Sequence, residues 1–228
     1  MFSNKSAIKS TEIVDCNINT PNSCNTYPAT NINVDIPYLE QNGGKFILTG
    51  EHKNGSERIF EASKQIEADI IINIQGDEVL VDPTHIDLLA QKMKSDSSII
   101  YSMGVTEFSK INSSHDFKVV LSINDNVIYC SRSDIPSSSI SKDNNRLKAV
   151  FIFGFTKNSL NDFVKMKQTS NEIREPNEFL RILDNELKIK AVRMPGAFIS
   201  LDTYQDLVKI KKIIKKDKYL SSYALREY

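Results

Sequence analysis

An excess of positive charge is missing from this sequence. Its 228 residues carry 29 lysines and arginines against 29 aspartates and glutamates, so the broad basic field of a general nucleic-acid binder is absent and any anion must be held by local groups. Cysteine is scarce. Cys16, Cys24 and Cys130 form no CxxC pair and no metal-ligand spacing, which fits a reducing compartment better than a disulfide scaffold. No apolar run approaches the roughly 18 to 20 residues that span a bilayer, and the first residues lack the apolar core of a signal peptide. These absences lead us to expect a soluble, cytoplasmic protein with neither nucleic acid nor a membrane among its partners.

What is present is a globular composition, 40% hydrophobic and 25% charged, in a chain long enough to bury a sizeable core. Residues 1–44 stand apart: they are rich in Asn, Ser and Thr and show no sustained period, and "NINTPNSCNTYPATNINVD" reads as loop or poorly ordered chain. From Lys45 the texture changes. "KFILTG" is a short apolar strand, and "SERIFEASKQI" places Ile59, Ala62 and Ile66 at helical spacing. "DIIINIQGD" is continuous and β-branched, as in a strand buried on both faces. After Pro83, a good first helical residue, Ile86, Leu89, Ala90 and Met93 recur at i, i+3, i+4, i+7. "SIIYSMGV" returns to strand. This alternation predicts right-handed crossovers in an α/β, doubly wound, mostly parallel, Rossmann-like sheet.

The middle of the chain alternates like a hairpin, with Asn124, Asp125 and Asn126 as turn chemistry between "KVVLSI" and "VIYCSR". "LKAVFIFGF" is again a buried strand. Helices are expected over 159–165 and 172–184, then a strand in "KIKAVRM", then a last helix from Thr203. In that helix Leu207, Ile210 and Ile214 would face inward, and the lysines of "KIKKIIKKDK" would form a solvated outer face.

Two acids could carry chemistry. "INIQGDEVL" ends an apolar strand in Gly76, Asp77 and Glu78, which is either an ordinary strand stop or the carboxyl-end position where open α/β sheets place ligands. "FISLDTYQDL" puts Asp202 at a similar strand end. Thr203 and Asp206 fit a Thr-x-x-Asp capping box, so Thr203 can cap the helix and release Asp202 for the crevice. Two free carboxylates suit a hard divalent ion such as Mg²⁺.

Six motifs then occur in register: "HKNGSER", "INIQGDEVLVDP", "KVVLSINDNVIYCSRSDIP", "LKAVFIFGFTKNSL", "NEIREPNEFLRILDNELKIKAV" and "SLDTYQDLVKI". Over roughly residues 45–215 they resemble the sugar-acid cytidylyltransferases, most closely the group acting on 3-deoxy-manno-octulosonate (Kdo). The resemblance implies a nucleotide-diphospho-sugar transferase-like fold over 45–228, with a β-hairpin insert for homodimerisation. It also implies attack of a sugar hydroxyl on the α-phosphate of CTP, loss of pyrophosphate, and a role in lipopolysaccharide or surface-glycan synthesis. By the same resemblance Asp77 and Asp202 would ligate Mg²⁺, and Gln75 would orient nucleotide or sugar. Arg58 and Arg132 would hold the sugar-acid carboxylate, and Glu172 and Glu175 the sugar hydroxyls.

The sequence departs from that pattern at one end. Such enzymes begin with a strand and a loop resembling "IPARYGSSRLPGKPL" that cradles the CTP phosphates, and residues 1–45 contain no such motif; the expectation is that the sheet lacks its first strand. Three readings stay open: an enzyme with a divergent nucleotide-binding region, a weakly active or inactive relative that binds the sugar acid or regulates, and an acylneuraminate-type enzyme.

Overall fold

The computed structural model describes residues 46–196, 198–201 and 203–219, together with the backbone of two earlier strands, Ser10–Cys16 and Cys24–Thr30. These two are β1 and β2. The other strands are β3 (Ile47–Leu48), β4 (Ile70–Gln75), β5 (Tyr101–Phe108), β6 (Lys118–Leu121), β7 (Val127–Ser131), β8 (Arg146–Thr156) and β9 (Lys190–Arg193). The α-helices are α1 (Gly55–Ser63), α2 (Pro83–Ser95), α3 (Lys157–Phe163), α4 (Ser170–Arg174), α5 (Leu180–Asp184) and α6 (Tyr204–Ile213).

One sheet runs in the order β3-β2-β1-β4-β8-β5-β9, with β6 joined to β7 and β8. The fold is α/β, as the alternation of strand and helix predicts. β2, β3, β4, β5 and β9 point the same way, but β1 and β8 run against them, so most neighbouring pairs are antiparallel. The cause is β8: returning from the β6–β7 hairpin, it enters between β4 and β5 and separates the two strands that α2 connects.

Both faces of β4 are covered, as its unbroken apolar run requires. Strand alternation sends Ile70, Ile72 and Ile74 towards Leu89, Ala90 and Met93 of α2. It sends Ile71 to the other face, into a cluster with Ile59 and Ala62 of α1, Leu160 and Phe163 of α3, and Leu180 and Ile182 of α5. Gln75 has the same parity as Ile71, so the end of β4 delivers it to the α1 side. On the α2 side, a Cβ on Gly154 would run into Met93, Ser102 and Leu89, so this helix lies against bare backbone of β8.

Local signals account for the element ends. Asp82 caps α2, with Pro83 in its first turn. Thr203 and Asp206 form the reciprocal capping box expected at the start of α6. The hairpin turns where Asn124–Asn126 predicted it, with Asp125 at φ 53° and its N–H donated to the Ser122 carbonyl.

Besides the expected mostly parallel order, three expectations need correction. The first 45 residues were expected to supply no strand, yet β1 pairs with β4 along Thr11–Cys16 and carries β2 on its other edge. The helix expected over 172–184 is two short helices. Pro176 lacks the N–H that a continuous helix would use, and its preceding residue, Glu175, is the C-cap of α4. Of the inward stripe on α6, Ile210 is buried and Leu207 half-buried. Ile214 is exposed, because the last turn tightens to 3₁₀ and rotates it outward.

Candidate active site

A cleft of about 740 Å³ opens on the α1 side of the sheet. The approach to α1 (His52, Lys53, Asn54, Gly55), the end of β4 (Gln75) and the exit of β7 (Arg132) form part of its wall, and Lys167 and the residues from α4 to α5 complete it. Asn54 accepts the Glu57 N–H at 2.9 Å and fixes the first turn of α1. His52 Nε2 is paired with Glu61, whose carboxylate also accepts the Gly50 N–H. The hydrogen bond from His52 holds the Glu61 carboxyl below its ordinary range.

Arg132 is oriented from two sides. Its guanidinium donates to the Glu175 carbonyl at 2.8 Å and lies 4.0 Å above the Phe117 ring. The Glu175 carboxylate accepts the Ser131 hydroxyl and the Arg132 N–H. Glu175 is therefore a clamp on Arg132. Glu172 lines the cleft, but both its oxygens receive Arg181, at 2.8 and 2.5 Å, in a bidentate pair with both side chains almost fully buried. Those hydrogen bonds raise the Arg181 guanidinium above its usual range against the opposing effect of burial.

Arg58 is buried within α1 and donates to Thr49 Oγ1 at 3.3 Å; burial lowers its guanidinium pKa. It is not among the cleft-lining residues. Asp77 sits on the turn after β4. Leu201 donates its N–H to the Asp77 carbonyl at 2.9 Å, and the Ser200 hydroxyl donates to Glu78 at 2.6 Å. The two acid-bearing motifs, more than 120 residues apart in sequence, are thus tied together through backbone and side chain. Asp202 itself lies outside the described residues.

Three cleft residues escape sequence reasoning. Lys53 and Lys167 form no ion pair among the described residues, so they add two such cations to a cleft that also holds the clamped Arg132. Glu178 accepts the Ser56 hydroxyl at 2.9 Å through Oε1, while Oε2 is buried with no partner. Burial pushes its carboxyl up to about 7. Lys53 lies within the "HKNGSER" motif, where only Arg58 drew a role. Glu178 has no local signal at all, because its partner Ser56 on α1 is 122 residues away in sequence.

A cleft with unpaired cations, a clamped arginine and a neighbouring acid-bearing turn can bind and orient an anionic substrate. Residues 32–215 match the cytidylyltransferase family model. The chain belongs to this family.

Curated relatives agree. The chain is 30% identical over 185 residues to a 3-deoxy-manno-octulosonate cytidylyltransferase of Chlorobium limicola, covering 78% of this chain and 75% of that protein. It is 34% identical over 187 residues to the protein of the same name from Geobacter metallireducens, covering 74% and 72%. Among solved structures, CMP:2-keto-3-deoxy-manno-octonic acid synthetase complexed with CTP superposes with a TM-score of 0.77 at 27% identity, covering 82% of this chain and 79% of that one. The inositol-1-phosphate CTP transferase of T. maritima, at 16% identity and a TM-score of 0.56 over 81% of this chain and 72% of that one, shares the fold alone. Cytidylyltransferase architecture is therefore established for this chain, with its cleft at the ends of β4 and β7.

Proposed function

We propose that this cytidylyltransferase activates a 3-deoxy sugar acid of the Kdo type with CTP, for surface-glycan synthesis in the cytoplasm. The observation that carries the reading is the cleft. It sets Gln75, Arg132, Lys53 and Lys167 around one space, two residues from the Asp77 turn. The names of the relatives and the CTP complex of the similar structure support the substrate pair.

In this reaction an oxygen of the sugar acid forms a bond to the α-phosphorus of CTP, the bond to the bridging oxygen breaks, and pyrophosphate leaves. Positioning and charge neutralisation supply most of the catalysis in such transfers. Arg132, held by Glu175 and Phe117, binds the sugar-acid carboxylate; Lys53 and Lys167 attract phosphate oxygens; Gln75 orients the reacting pair. Glu178 anchors the cleft wall to α1 through Ser56. Glu172 and Glu175 shape the cleft through their arginine contacts, and Arg58 holds the base of α1 through Thr49.

Among the described residues no group of three or more His, Cys, Asp or Glu side chains could hold a metal. Asp77 and Asp202 would hold Mg²⁺ together with substrate oxygens and water, since this ion takes few carboxylates. When bound, it would neutralise charge on the transferred phosphate. A homodimer through the β6–β7 hairpin completes the reading, with Ile123, Ile128 and Ile140 exposed around it. We take the cytidylyltransferase-like domain as 45–228 together with β1 and β2, which pair into its sheet from the atypical segment 1–44.

Calorimetric titration with CTP and Mg²⁺, with and without Kdo and with pyrophosphate release monitored, tests this. Sugar-dependent release supports transfer; Kdo binding without CTP binding supports the second reading, a sugar-acid binding relative, which the missing "IPARYGSSRLPGKPL"-like loop favours. Preferential turnover of an acylneuraminate reassigns the sugar.

A further inference from the structure

We propose that the outer face of α6 docks the protein onto an anionic lipid surface. Tyr204, Val208 and Lys211 recur at i, i+4 and i+7, the spacing of one helix side, Lys215 follows in the 3₁₀ turn, and all four are exposed. Tyr204 is 79% exposed and Val208 37%. Ile210, on the opposite side, is buried against the body of the protein. Lys212, Ile213, Ile214 and Lys216 are also exposed around the last turn. Val208, Ile214, Lys211, Lys212 and Lys215 line a shallow groove on this face.

Two independent features separate this helix from an ordinary solvated face. Lys209 is paired with Asp206 and Lys218 with Asp82, but Lys211, Lys212, Lys215 and Lys216 have no ion-pair partner among the described residues. Four uncompensated cations thus occupy six consecutive positions of a chain whose formal charge is zero. An exposed aromatic and three exposed β-branched side chains lie among them, which solvation alone does not favour. An aromatic ring at the headgroup level, short apolar groups below it and lysines reaching back to phosphates describe an interfacial helix. The charge complement is an anionic headgroup layer, which attracts basic segments within a Debye length.

The test is sedimentation of the full chain with phosphatidylglycerol-containing vesicles and with vesicles of phosphatidylcholine alone. We expect at least tenfold stronger partition onto the anionic vesicles, weakening as salt rises. Lys211→Gln, Lys212→Gln, Lys215→Gln and Lys216→Gln combined should abolish the difference. A Tyr204→Ser, Val208→Ser variant keeps every charge and should still lose several-fold. Circular dichroism establishes that each variant is folded before it is scored. Equal partition onto both vesicle types overturns the proposal, as does anionic binding that survives the four glutamines or that ignores loss of the apolar stripe.

Discussion

Replacing Glu178 by glutamine isolates the cost of a buried carboxyl in the cleft. Glu178 reaches about 7 from an ordinary 4.5, because burial outweighs the Ser56 hydrogen bond and the attraction of Arg181, with Glu172 and Glu57 adding to the rise. A carboxyl raised in the folded state binds its proton more tightly there than in the unfolded chain. Its stabilising contribution is whole below the unfolded value and is lost as pH climbs through the folded one. At about 1.36 kcal/mol per unit the full loss comes to at most about 3 kcal/mol. Between about pH 5.5 and about pH 8.5, linkage places roughly 2 kcal/mol of that change. Urea unfolding of the parent and of Glu178→Gln, compared across this range, should give curves that diverge with pH, the variant gaining on the parent by up to that amount. Parallel curves would refute the assignment of a raised carboxyl at this position.

Further outcomes follow from the same geometry. Asp77→Ala or Asp202→Ala should abolish Mg²⁺-dependent CTP binding in calorimetry while leaving the circular dichroism spectrum unchanged; unaltered metal-dependent binding would remove that residue from the ligand set. Arg132→Lys keeps the charge but loses the planar fork, so KM for the sugar acid should rise about tenfold or more with a smaller change in kcat. Glu172→Gln should cost about 3 to 5 kcal/mol by leaving Arg181 buried without its anion, and Glu172→Leu with Arg181→Met should recover much of that in a double-mutant cycle read by denaturation. Gly154→Ala should lower Tm with a cost of about 1 to 3 kcal/mol, since its methyl group meets Met93, Ser102 and Leu89.

The sequence by itself determined most of the elements after Lys45. Helical spacing at Ile59 and Ala62, the β-branched run at Ile70–Ile74, Pro83 at a helix start and the Thr203–Asp206 capping box are local signals, and local physics suffices to read them. The ordered motifs from "HKNGSER" to "SLDTYQDLVKI" pointed to the cytidylyltransferase family for the same reason: each is a short segment whose chemistry travels with it. Gln75 and Arg132 were legible as cleft residues on that basis.

Tertiary structure decided the rest, because it depends on partners distant in sequence. Period-2 alternation cannot reveal that β8 enters between β4 and β5, so the antiparallel ladders were invisible to it. Nor could polar composition disclose β1, whose backbone hydrogen bonds are satisfied by the edge of β4. A charged side chain's role is set by what faces it. Glu172 reads as a sugar ligand until Arg181 occupies both oxygens, and Glu175 until it closes on Ser131 and Arg132. The Glu178 carboxyl is raised only where the fold buries it beside Ser56 of α1, a consequence of desolvation that no stretch of sequence carries alone.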